Sequence, residues 1–414
     1  MEERKIAYLF SRFPSIWQTY LSREVAELVD RSIPILIISL KNKKWKHIQS
    51  EATKLEERVK ILRCPYTSLG KIVVSNFMFF FRSPLKYLGI LIEIIRFSIG
   101  GKMLSLLKNI LIFPESVYFA RQIVVEDVKH LHATHATYPT LTSFVISRLT
   151  GIPYSFAGHA SDIHADTTML GKKIEETKFI VTCAADNVDY LKKNFPESKL
   201  KPIYVNYHGI SLKRFEYIED RATNPIRILS VGRIEESKGY DDLVKACYIL
   251  KNGIRTKVKG VESFKLKIVG DGPLMGKLKE IVQELGLQDY VILPGAIRYD
   301  DVIREYKKAT IFALPAIAKY HYGIPNVLLE AMASGVPVIT TPLAAVRSEL
   351  IKDGVNGILV EEHSPELIVK AIDSILNDET KRRAMIRFAR KKVEDQFDLK
   401  RNIDQLQQIF QENI

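Results

Sequence analysis

Short apolar runs rich in β-branched residues alternate with longer helical patterns along this chain, and this alternation restricts the possible folds more than any other feature. Strands that alternate with helices are typical of parallel sheets in α/β proteins. We therefore predict an α/β protein with two series of strands. The predicted strands are Lys5–Phe10, Ile33–Leu40, Val59–Arg63, Leu131–Thr134, Tyr154–Ala157, Phe179–Thr182, Ile203–Val205, Arg227–Val231, Lys265–Val269, Val291–Leu293, Ile311–Leu314, Val336–Thr340 and Gly357–Val360.

The polar stretch RFEYIEDRATNP, residues 214–225, separates the two series and has the composition of a linker. A chain of 414 residues is also too long for one ordinary core. We predict two doubly wound domains, residues 1–215 and 225–395, and a C-terminal helix, residues 396–414, that returns to the first domain. Doubly wound sheets bind ligands at the carboxyl ends of their strands, so we expect a ligand cleft between the domains.

The composition and the cysteines indicate the compartment. Apolar residues make up 46% of the chain and charged residues 26%, which is typical of a soluble globular protein. Cys64, Cys183 and Cys247 are far apart and fit neither a disulfide framework nor zinc spacing. The N-terminal residues show no secretory signal pattern. We therefore expect a cytoplasmic protein.

The net charge of +13 is concentrated near the N-terminus, because residues 1–110 hold 19 Lys and Arg against 9 Asp and Glu. The segment Leu69–Lys108 is apolar and aromatic, with six basic residues and one acid, Glu93. Charges interrupt every window long enough to span a bilayer. The pattern favours peripheral docking on an anionic membrane, at its inner face. Core helices with outward Lys and Arg are the alternative. Nucleic acid is disfavoured, because the basic residues alternate with bulky aliphatic ones.

The first strand of the second series is followed by the loop VGRIEESKG. Gly232 allows a sharp turn at the strand end. Arg233 and Lys238 flank the loop, and Ser237 is placed to cap the next helix. Two cations beside a helix N-terminus predict a phosphate or diphosphate site. A charged surface loop, balanced by the two glutamates that it contains, is the alternative.

Two later strand ends extend this prediction. The loop VGDGP, with Gly270 and Gly272, should lie beside the Arg233 loop at the same sheet edge. In GIPNVLLEAMASG, Gly323 permits an unusual backbone angle and Pro325 suits the first helical position. This helix is apolar on most faces, so Glu330 within it should be buried.

A buried Glu330 needs a partner, because burying a carboxylate without one costs several kcal/mol. A ribose diol fits, since a carboxylate accepts two hydrogen bonds from adjacent hydroxyls. A structural salt bridge or bonds from backbone amides are the alternatives. The sequence therefore predicts a nucleotide site that combines a diphosphate grip with a ribose acceptor.

Together, VGRIEESKG, VGDGP, GIPNVLLEAMASGVPVITT and VNGILV resemble the retaining, nucleotide-sugar-dependent glycosyltransferases of family 4, in order over residues 226–395. In the first half, SRFPSIWQTYLSREVAEL, HLHATHATYPT and GIPYSFAGHASDIHAD are similar to the branch that builds exopolysaccharides such as colanic acid. The resemblance implies the GT-B fold of two Rossmann-like domains and a hexosyltransferase type of activity. It also implies a nucleoside-diphosphate sugar as donor, a lipid-linked or saccharide acceptor, and neither metal nor cofactor.

The resemblance assigns roles to single residues. Arg233 and Lys238 would hold the donor diphosphate, Glu330 the ribose, and His159, with Asp162 close by, the donor sugar and phosphate. The chemistry agrees, because cations stabilise the charge that develops on the leaving diphosphate and replace a divalent metal. Further donor and acceptor contacts are implied for Gln18, Gly232, Gly270, Gly272, Ile297, Tyr322, Gly323, Ile324, Pro325 and Asn326.

The histidines of HLHATH invite a metal interpretation, which we reject. His130 and His132 would share one face of a strand, and His135 follows. No carboxylate or cysteine accompanies them at ligand spacing.

Two positions depart from the family pattern. Tyr322 stands where the family usually has an acid, eight residues before Glu330, and Gln18 stands where the branch commonly has Glu. Losing a charged hydrogen bond costs about 1.5–3 kcal/mol, or about 10- to 150-fold in rate. These departures leave two main hypotheses. The chain is an active transferase with altered donor preference, or it is a silent homologue that binds nucleotide or partners an active enzyme. A nucleotide-sugar epimerase is a third option. The presence of Arg233, Lys238 and Glu330 favours the enzyme.

Overall fold

A computed structural model provides the fold of the protein. It describes residues 4–15, 18–41, 50–64, 69–99, 101, 103–164, 167–253, 263–320 and 323–414. The chain forms two compact units. Unit 1 comprises Met1–His208 and Asn402–Ile414, and unit 2 comprises Gly209–Arg401.

Unit 1 is a parallel sheet covered by helices. Its strands are β1 (Ile6–Phe10), β2 (Ile35–Ser39), β3 (Ile61–Arg63), β4 (His130–Ala133), β5 (Tyr154–Gly158), β6 (Ile180–Thr182) and β7 (Ile203–Val205). Its helices are α1 (Thr19–Asp30), α2 (Ser50–Arg58), α3 (Leu69–Arg82), α4 (Pro84–Ser98), α5 (Met103–Val125), α6 (Tyr138–Thr150), α7 (Ala160–His164), α8 (Leu170–Glu176) and α9 (Ala185–Asn194). The strand order is β3-β2-β1-β4-β5-β6-β7.

Unit 2 has the same architecture. Its strands are β8 (Ile226–Val231), β9 (Phe264–Val269), β10 (Val291–Gly295), β11 (Ile311–Leu314), β12 (Val338–Thr340) and β13 (Ile358–Leu359). Its helices are α10 (Tyr240–Gly253), α11 (Met275–Glu284), α12 (Tyr299–Lys308), α13 (Asn326–Ala333), α14 (Pro365–Asn377) and α15 (Glu379–Gln396), and the chain ends in α16 (Leu399–Asn413). The strand order is β10-β9-β8-β11-β12-β13.

Both sheets confirm the predicted doubly wound α/β class. All thirteen predicted strands are present in the described part of the chain, each within two residues of its predicted ends. The central strands β1, β4, β8 and β11 carry mostly buried side chains, because helices cover both faces of a parallel sheet. The strand order reverses between β1 and β4 and again between β8 and β11. Doubly wound sheets bind ligands at such reversals.

The C-terminal helix packs in unit 1, as the sequence predicted. The Asn402 side-chain amide donates to the Tyr207 carbonyl oxygen at 2.8 Å, and the Gln405 amide donates to the Val205 carbonyl oxygen at 3.0 Å. The Phe410 ring lies edge-on to Tyr8 of β1, with 6.3 Å between ring centroids. Helix α16 therefore packs in the unit that contains β1, the first strand of the chain.

The segment that was predicted as a linker is packed within unit 2. Arg221 is 8% exposed, and its guanidinium donates to the carbonyl oxygens of Gly335, Tyr306 and Ala309 at 2.7, 2.9 and 2.8 Å. Burial lowers the pKa of Arg221 to about 10. The division between the units falls earlier, between His208 and Gly209.

Among the residues that the structure describes, one helix is long and apolar enough to cross a membrane, by length and composition. This helix is α5, and 44% of its most apolar 18-residue stretch is buried within the protein. Its second half packs against α6 in the core of unit 1, where Phe113, Val117 and Phe119 are almost fully buried. A helix packed in this way is also found in the cores of soluble proteins.

Candidate functional site

The carboxyl edge of the sheet in unit 2 carries the residues predicted to bind a diphosphate. Gly232 and Arg233 follow β8 directly, and Lys238 ends a short 3-10 helix a few residues later. This edge lies at the reversal of strand order between β8 and β11. The predicted cations therefore occupy the part of the sheet where α/β proteins bind ligands.

Glycines allow the loops at this edge to approach each other. A Cβ atom at Gly270, which has a φ of +149°, would lie 1.8 Å from the carbonyl oxygen of Gly232. A Cβ atom at Gly272 would lie 2.2 Å from the carbonyl oxygen of Ile234. Only glycine fits at such distances. The loop after β9 therefore lies beside the Arg233 loop, as the sequence predicted.

The two cations differ in environment. The Arg233 side chain is 48% exposed, and its guanidinium lies 3.2 Å from the Glu235 carboxylate. The Lys238 side chain passes Gly232, since a Cβ atom there would lie 3.7 Å from the Lys238 Cε. Burial lowers the pKa of Lys238 to about 8, and nearby Glu235 opposes this shift. A bound anion would compensate the charge of the lysine and compete with Glu235 for the arginine.

Ser237 lies in the 3-10 helix and not at the predicted N-cap, because α10 begins at Tyr240. Its hydroxyl donates to Glu235 Oε1 at 2.9 Å. Gly239 follows with a φ of +63°, and a Cβ atom there would lie 2.0 Å from the carbonyl oxygen of Pro315. The Lys238 loop is therefore fixed against the end of β11.

Glu330 is buried in α13, as predicted, and is 4% exposed. Two tyrosines of α12 donate to its carboxylate, Tyr299 at 2.7 Å and Tyr306 at 3.1 Å. The guanidinium of Arg214 lies 4.8 Å from the centre of the Tyr299 ring and donates to Asp300 at 2.8 Å. Protein hydroxyls thus contribute part of the compensation that the sequence interpretation assigned to a ribose. A carboxylate has about four acceptor positions, so the two tyrosine hydroxyls do not by themselves exhaust it.

The loop before α13 differs in detail from the prediction. A Cβ atom at Gly323 would contact nothing within 4 Å, so packing does not require a glycine there. Pro325 occupies the N-cap, and Asn326 is the first helical residue. Ile324, which precedes Pro325, is partly buried. The prediction for Tyr322 lies outside the described residues.

Ile297 lies two residues after the end of β10 and is partly buried. The end of β10 contacts the residue after β9, its neighbour in the sheet, since the backbone N–H of Gly270 donates to the carbonyl oxygen of Gly295 at 3.0 Å. The loops after β8, β9 and β10 therefore lie in a row along one sheet edge.

In unit 1 the structure connects the three predicted site residues through His135. The Gln18 side-chain nitrogen lies 3.0 Å from His135 Nε2, and the His135 ring stacks on His159 with 4.6 Å between centroids. His159 Nδ1 lies 4.0 Å from Asp162 Oδ1. The other Asp162 oxygen accepts the backbone N–H of Ala136 at 2.5 Å. Gln18, His159 and Asp162 thus belong to one polar cluster, in which His159 and Asp162 are buried and Gln18, just before α1, is partly buried.

Burial sets the charge of this cluster. It lowers the pKa of His159 well below its usual value and lowers that of His135 to about 4, so both rings are neutral near pH 7. Burial also raises the pKa of Asp162 to about 7. His159 Nδ1 and Asp162 Oδ1 have no hydrogen-bond partner within the described ranges. Two such atoms about 4 Å apart suit a hydroxyl or a water between them.

His208 is a site neighbour that the sequence did not reveal. Its Nε2 lies 2.8 Å from His159 Nε2, and Tyr20 of α1 packs on its ring, with 4.1 Å between centroids. Burial lowers the pKa of His208 to about 3. The contact could not be predicted from spacing, because His208 follows β7, two strands further along the sheet than His159.

His159, His208 and Cys183 are also a group that could hold a metal ion, with ligand atoms within 4.8 Å of one another. Neutral imidazoles and a thiolate suit zinc or copper. The two histidines already contact each other through their Nε2 atoms. His130 and His132, the histidines weighed in the sequence, both contact the Ser155 hydroxyl instead, at 2.7 and 2.8 Å.

Residues 214–392 match the family described as Glycosyl transferases group 1. The chain is 30% identical over 200 residues to a putative colanic acid biosynthesis glycosyltransferase, WcaL, of Salmonella typhimurium. The aligned region covers 47% of each protein. It is also 30% identical over 201 residues to the N-acetylgalactosamine-N,N'-diacetylbacillosaminyl-diphospho-undecaprenol 4-alpha-N-acetylgalactosaminyltransferase of Campylobacter jejuni, over 48% of this chain and 50% of that protein. The chain spans about half the length of these relatives.

A solved structure matches almost the whole chain. The Anabaena protein HepE, in complex with UDP and glucose, superposes with a TM-score of 0.69 over 99% of this chain and 100% of its own, at 15% identity. An identity this low establishes the fold alone. The match spans both units, so each unit has a counterpart in the fold of that one protein.

Proposed function

We propose that this protein is a retaining glycosyltransferase for surface polysaccharide or glycolipid synthesis. The match of residues 214–392 to the glycosyl transferases group 1 family supports the proposal. The predicted resemblance to glycosyltransferases of GT-B fold, in the exopolysaccharide branch, is confirmed. The donor would be a nucleoside-diphosphate sugar, and the acceptor a lipid-linked or free saccharide. The donor proposal draws on HepE, whose solved complex holds UDP and glucose, and the acceptor proposal on the undecaprenol-linked acceptor in the Campylobacter relative's name.

The observation that carries this proposal is the arrangement at the sheet edge of unit 2. Two cations follow β8, glycines let the loop after β9 approach them closely, and a buried carboxylate follows β11. We assign Arg233 and Lys238 to the diphosphate and Glu330 to the ribose. Charge-assisted hydrogen bonds to phosphate are among the strongest in proteins, and planar guanidinium suits phosphate oxygens.

The proposed chemistry uses the leaving group as base. The bond between the anomeric carbon and the diphosphate oxygen breaks, and a new bond to the acceptor oxygen forms on the same face of the sugar. The acceptor proton passes to the departing phosphate oxygen. Arg233 and Lys238 stabilise the charge that develops there, which is the contribution that a divalent metal makes in other enzymes. No metal ion is needed in this scheme.

In unit 1 we assign His159 and Asp162 to hydroxyls of the donor sugar and Gln18 to the acceptor side. Support comes from the two buried polar atoms without described partners, His159 Nδ1 and Asp162 Oδ1. Each needs a hydrogen bond to offset its burial. Since the histidines of this cluster are neutral near pH 7, they act as hydrogen-bonding groups and not as cations.

The second candidate function is a silent homologue that binds nucleotide or partners an active transferase. Tyr322 and Gln18, which stand where acids are usual, motivate it. The intact cation pair and the buried Glu330 favour the active enzyme. A donor screen separates the two, because the silent form would bind a nucleotide sugar without hydrolysing or transferring it.

The experiment that tests the proposal is calorimetry with common nucleoside-diphosphate sugars in the presence of EDTA. We expect at least one donor to bind, with an affinity that added Mg²⁺ does not raise, because Arg233 and Lys238 supply the charge. Hydrolysis of that donor would then identify the active form. Absence of binding for every common donor would contradict the proposal, and binding that depends on added metal would contradict the assigned role of the cations.

Donor affinity should also depend on pH through Lys238. Its pKa in the free protein is about 8, and only the protonated form attracts a diphosphate. Below pH 8 the charge is present, so affinity should be constant there; above pH 8 it should fall by up to about tenfold per pH unit. Lys238→Arg should remove this fall, since arginine stays charged. Identical pH profiles for both proteins would exclude Lys238 from the donor site.

A further inference from the structure

Unit 1 exposes an unusual concentration of large apolar side chains. Twenty such side chains are exposed in the described part of the chain, and fifteen of them lie on α3, α4 and the first half of α5 or between these helices. We call these fifteen the apolar helical face. They are Leu69, Val73, Val74, Phe77, Met78, Phe81, Leu85, Leu88, Ile92, Phe97, Ile99, Met103, Leu104, Leu107 and Leu111, with exposures from 42% to 87%.

The spacing of these residues places them on one side of each helix. On α3 the exposed positions recur at intervals of three to five residues, while Ser75 is fully buried. On α4 the exposed Leu85, Leu88 and Ile92 alternate with the buried Ile90. Each helix thus has one packed side and one exposed apolar side.

The packed sides hold the polar groups. The Asn76 amide donates to the Pro114 carbonyl oxygen at 3.0 Å, and Asn109 donates to the Ser98 hydroxyl at 3.0 Å. The Ser116 hydroxyl lies 3.1 Å from that of Thr142. Four small or amide side chains, Ser75, Ser98, Ser105 and Asn109, are buried in these three helices, together with Ser116.

A helix on a water-soluble surface exposes a mostly polar stripe, whereas these helices expose many large apolar side chains and bury small polar ones beside apolar ones such as Ile90 and Ile94. Small and polar residues at helix contacts, with apolar side chains outside, are typical of helices that face lipid. The alternative from the sequence, core helices with outward Lys and Arg, does not account for fifteen exposed apolar side chains. The environment that this face fits is hydrocarbon.

The charges on these helices point to the kind of lipid. In residues 69–111, which carry the apolar helical face, the one acid is Glu93, and it is paired with Arg148 at 3.0 Å. The basic side chains described in this stretch are all exposed: Lys71, Arg82, Lys86, Arg96 and Lys108. Cations next to an inserted apolar surface suit anionic headgroups. A second copy of the same face would bring like charges together, so self-association is disfavoured.

Helix α5 shows why these helices would enter only one leaflet of a bilayer. Met103, Leu104 and Leu107 near its start are exposed, whereas Val117 and Ile123 near its end lie in the core of unit 1. Pro114 lies between the two halves. A helix with half of its length in the protein core cannot also span a bilayer.

We propose that α3, α4 and α5 insert the apolar helical face into one leaflet of an anionic bilayer, with the flanking Lys and Arg at the headgroups. This goes beyond the peripheral electrostatic contact expected from the sequence, because apolar burial holds the protein after salt has screened the charges. The inference rests on the proposed function only for its purpose, which is to place the enzyme where a lipid-linked acceptor is found.

The test is flotation of the full chain with vesicles of phosphatidylcholine alone and of phosphatidylcholine mixed with phosphatidylglycerol. We expect capture by the anionic vesicles at low salt, and retention of the bound protein after a wash in about 1 M NaCl, where charges are screened beyond about 3 Å. The double variant Phe77→Asp, Phe81→Asp should lose about tenfold or more in the bound fraction. Phe388→Asp is the matched control, since Phe388 is 55% exposed on α15 of unit 2, and it should bind as the parent does.

Three results would overturn the inference. They are a protein that stays in the soluble fraction at low salt, complete release by the salt wash, and unchanged binding of the double variant. A dimer in sedimentation without lipid, which the double variant dissociates, would assign the face to self-association and would also overturn it. Donor binding measured without lipid should be equal in all variants, which shows that they are folded. If no donor binds the parent protein, the proposed function fails while membrane insertion is still tested.

Discussion

Replacing Lys238 by methionine is expected to lower sugar transfer by about 10- to 150-fold, with the larger part in turnover. A charged hydrogen bond contributes about 1.5–3 kcal/mol, and each 1.4 kcal/mol corresponds to about tenfold in rate. The loss should fall on turnover because the negative charge on the diphosphate grows as the sugar departs. Steady-state kinetics with the donor identified by the screen measures both parameters.

Lys245→Met is the matched control for this variant. Lys245 lies on α10 of the same unit, its side chain is 56% exposed, and its ammonium lies 4.0 Å from Asp242. The same loss of one positive charge should leave the kinetics unchanged there. Arg233→Ala should lose at least about tenfold, since its guanidinium is assigned to the same diphosphate. Unchanged kinetics in both Arg233→Ala and Lys238→Met would remove the diphosphate assignment.

Replacing Glu330 by glutamine is expected to weaken donor binding by about 10- to 150-fold. Glutamine keeps the shape and one acceptor oxygen, but it loses the charge that strengthens hydrogen bonds from ribose hydroxyls. The loss should appear in the affinity for the nucleoside diphosphate without a sugar, because the ribose belongs to that part of the donor. Calorimetry with the nucleoside diphosphate measures it directly.

Glu366→Gln is the control that changes the net charge equally, at an exposed position in the first turn of α14. It should bind the nucleoside diphosphate as the parent does. Tyr299→Phe tests the hydrogen bond at Glu330 without altering the carboxylate, and it should change affinity less than Glu330→Gln. If Glu330→Gln binds normally, the carboxylate serves the two tyrosines of α12 and not a ribose.

The fold could be predicted from the sequence because its information is local. Each strand of a doubly wound sheet is a short apolar run, and the order of runs and helices fixes the class. The α13 helix shows the same strength, since Glu330 was predicted to be buried from the apolar residues around it. Ser237 shows the limit, because it was predicted to cap the next helix and instead lies in the 3-10 helix that precedes α10.

Individual side-chain contacts between distant parts of the chain could not be predicted. Tyr299 and Tyr306 precede Glu330 by 31 and 24 residues, and nothing in their spacing identifies them as donors to its carboxylate. His208 approaches His159 only because β5, β6 and β7 are neighbours in the sheet. These pairings depend on tertiary packing, which a single sequence does not encode as a pattern.

The α3 helix shows what composition leaves open. Its composition predicted contact with a membrane, which stays a prediction, and it could not show which residues face outward. The structure supplies this information, since Ser75 is buried while Phe77 and Phe81 are exposed. The direction of polarity, and not the amount of apolar residue, separates a lipid-facing helix from a core helix.

The most direct test of the account is a crystal structure of the protein with the nucleoside diphosphate that binds in the donor screen. The account predicts phosphate oxygens within about 3 Å of the Lys238 ammonium and the Arg233 guanidinium, and two ribose hydroxyls that donate to the Glu330 carboxylate. A nucleotide whose diphosphate contacts neither cation, or whose ribose lies away from Glu330, would contradict it.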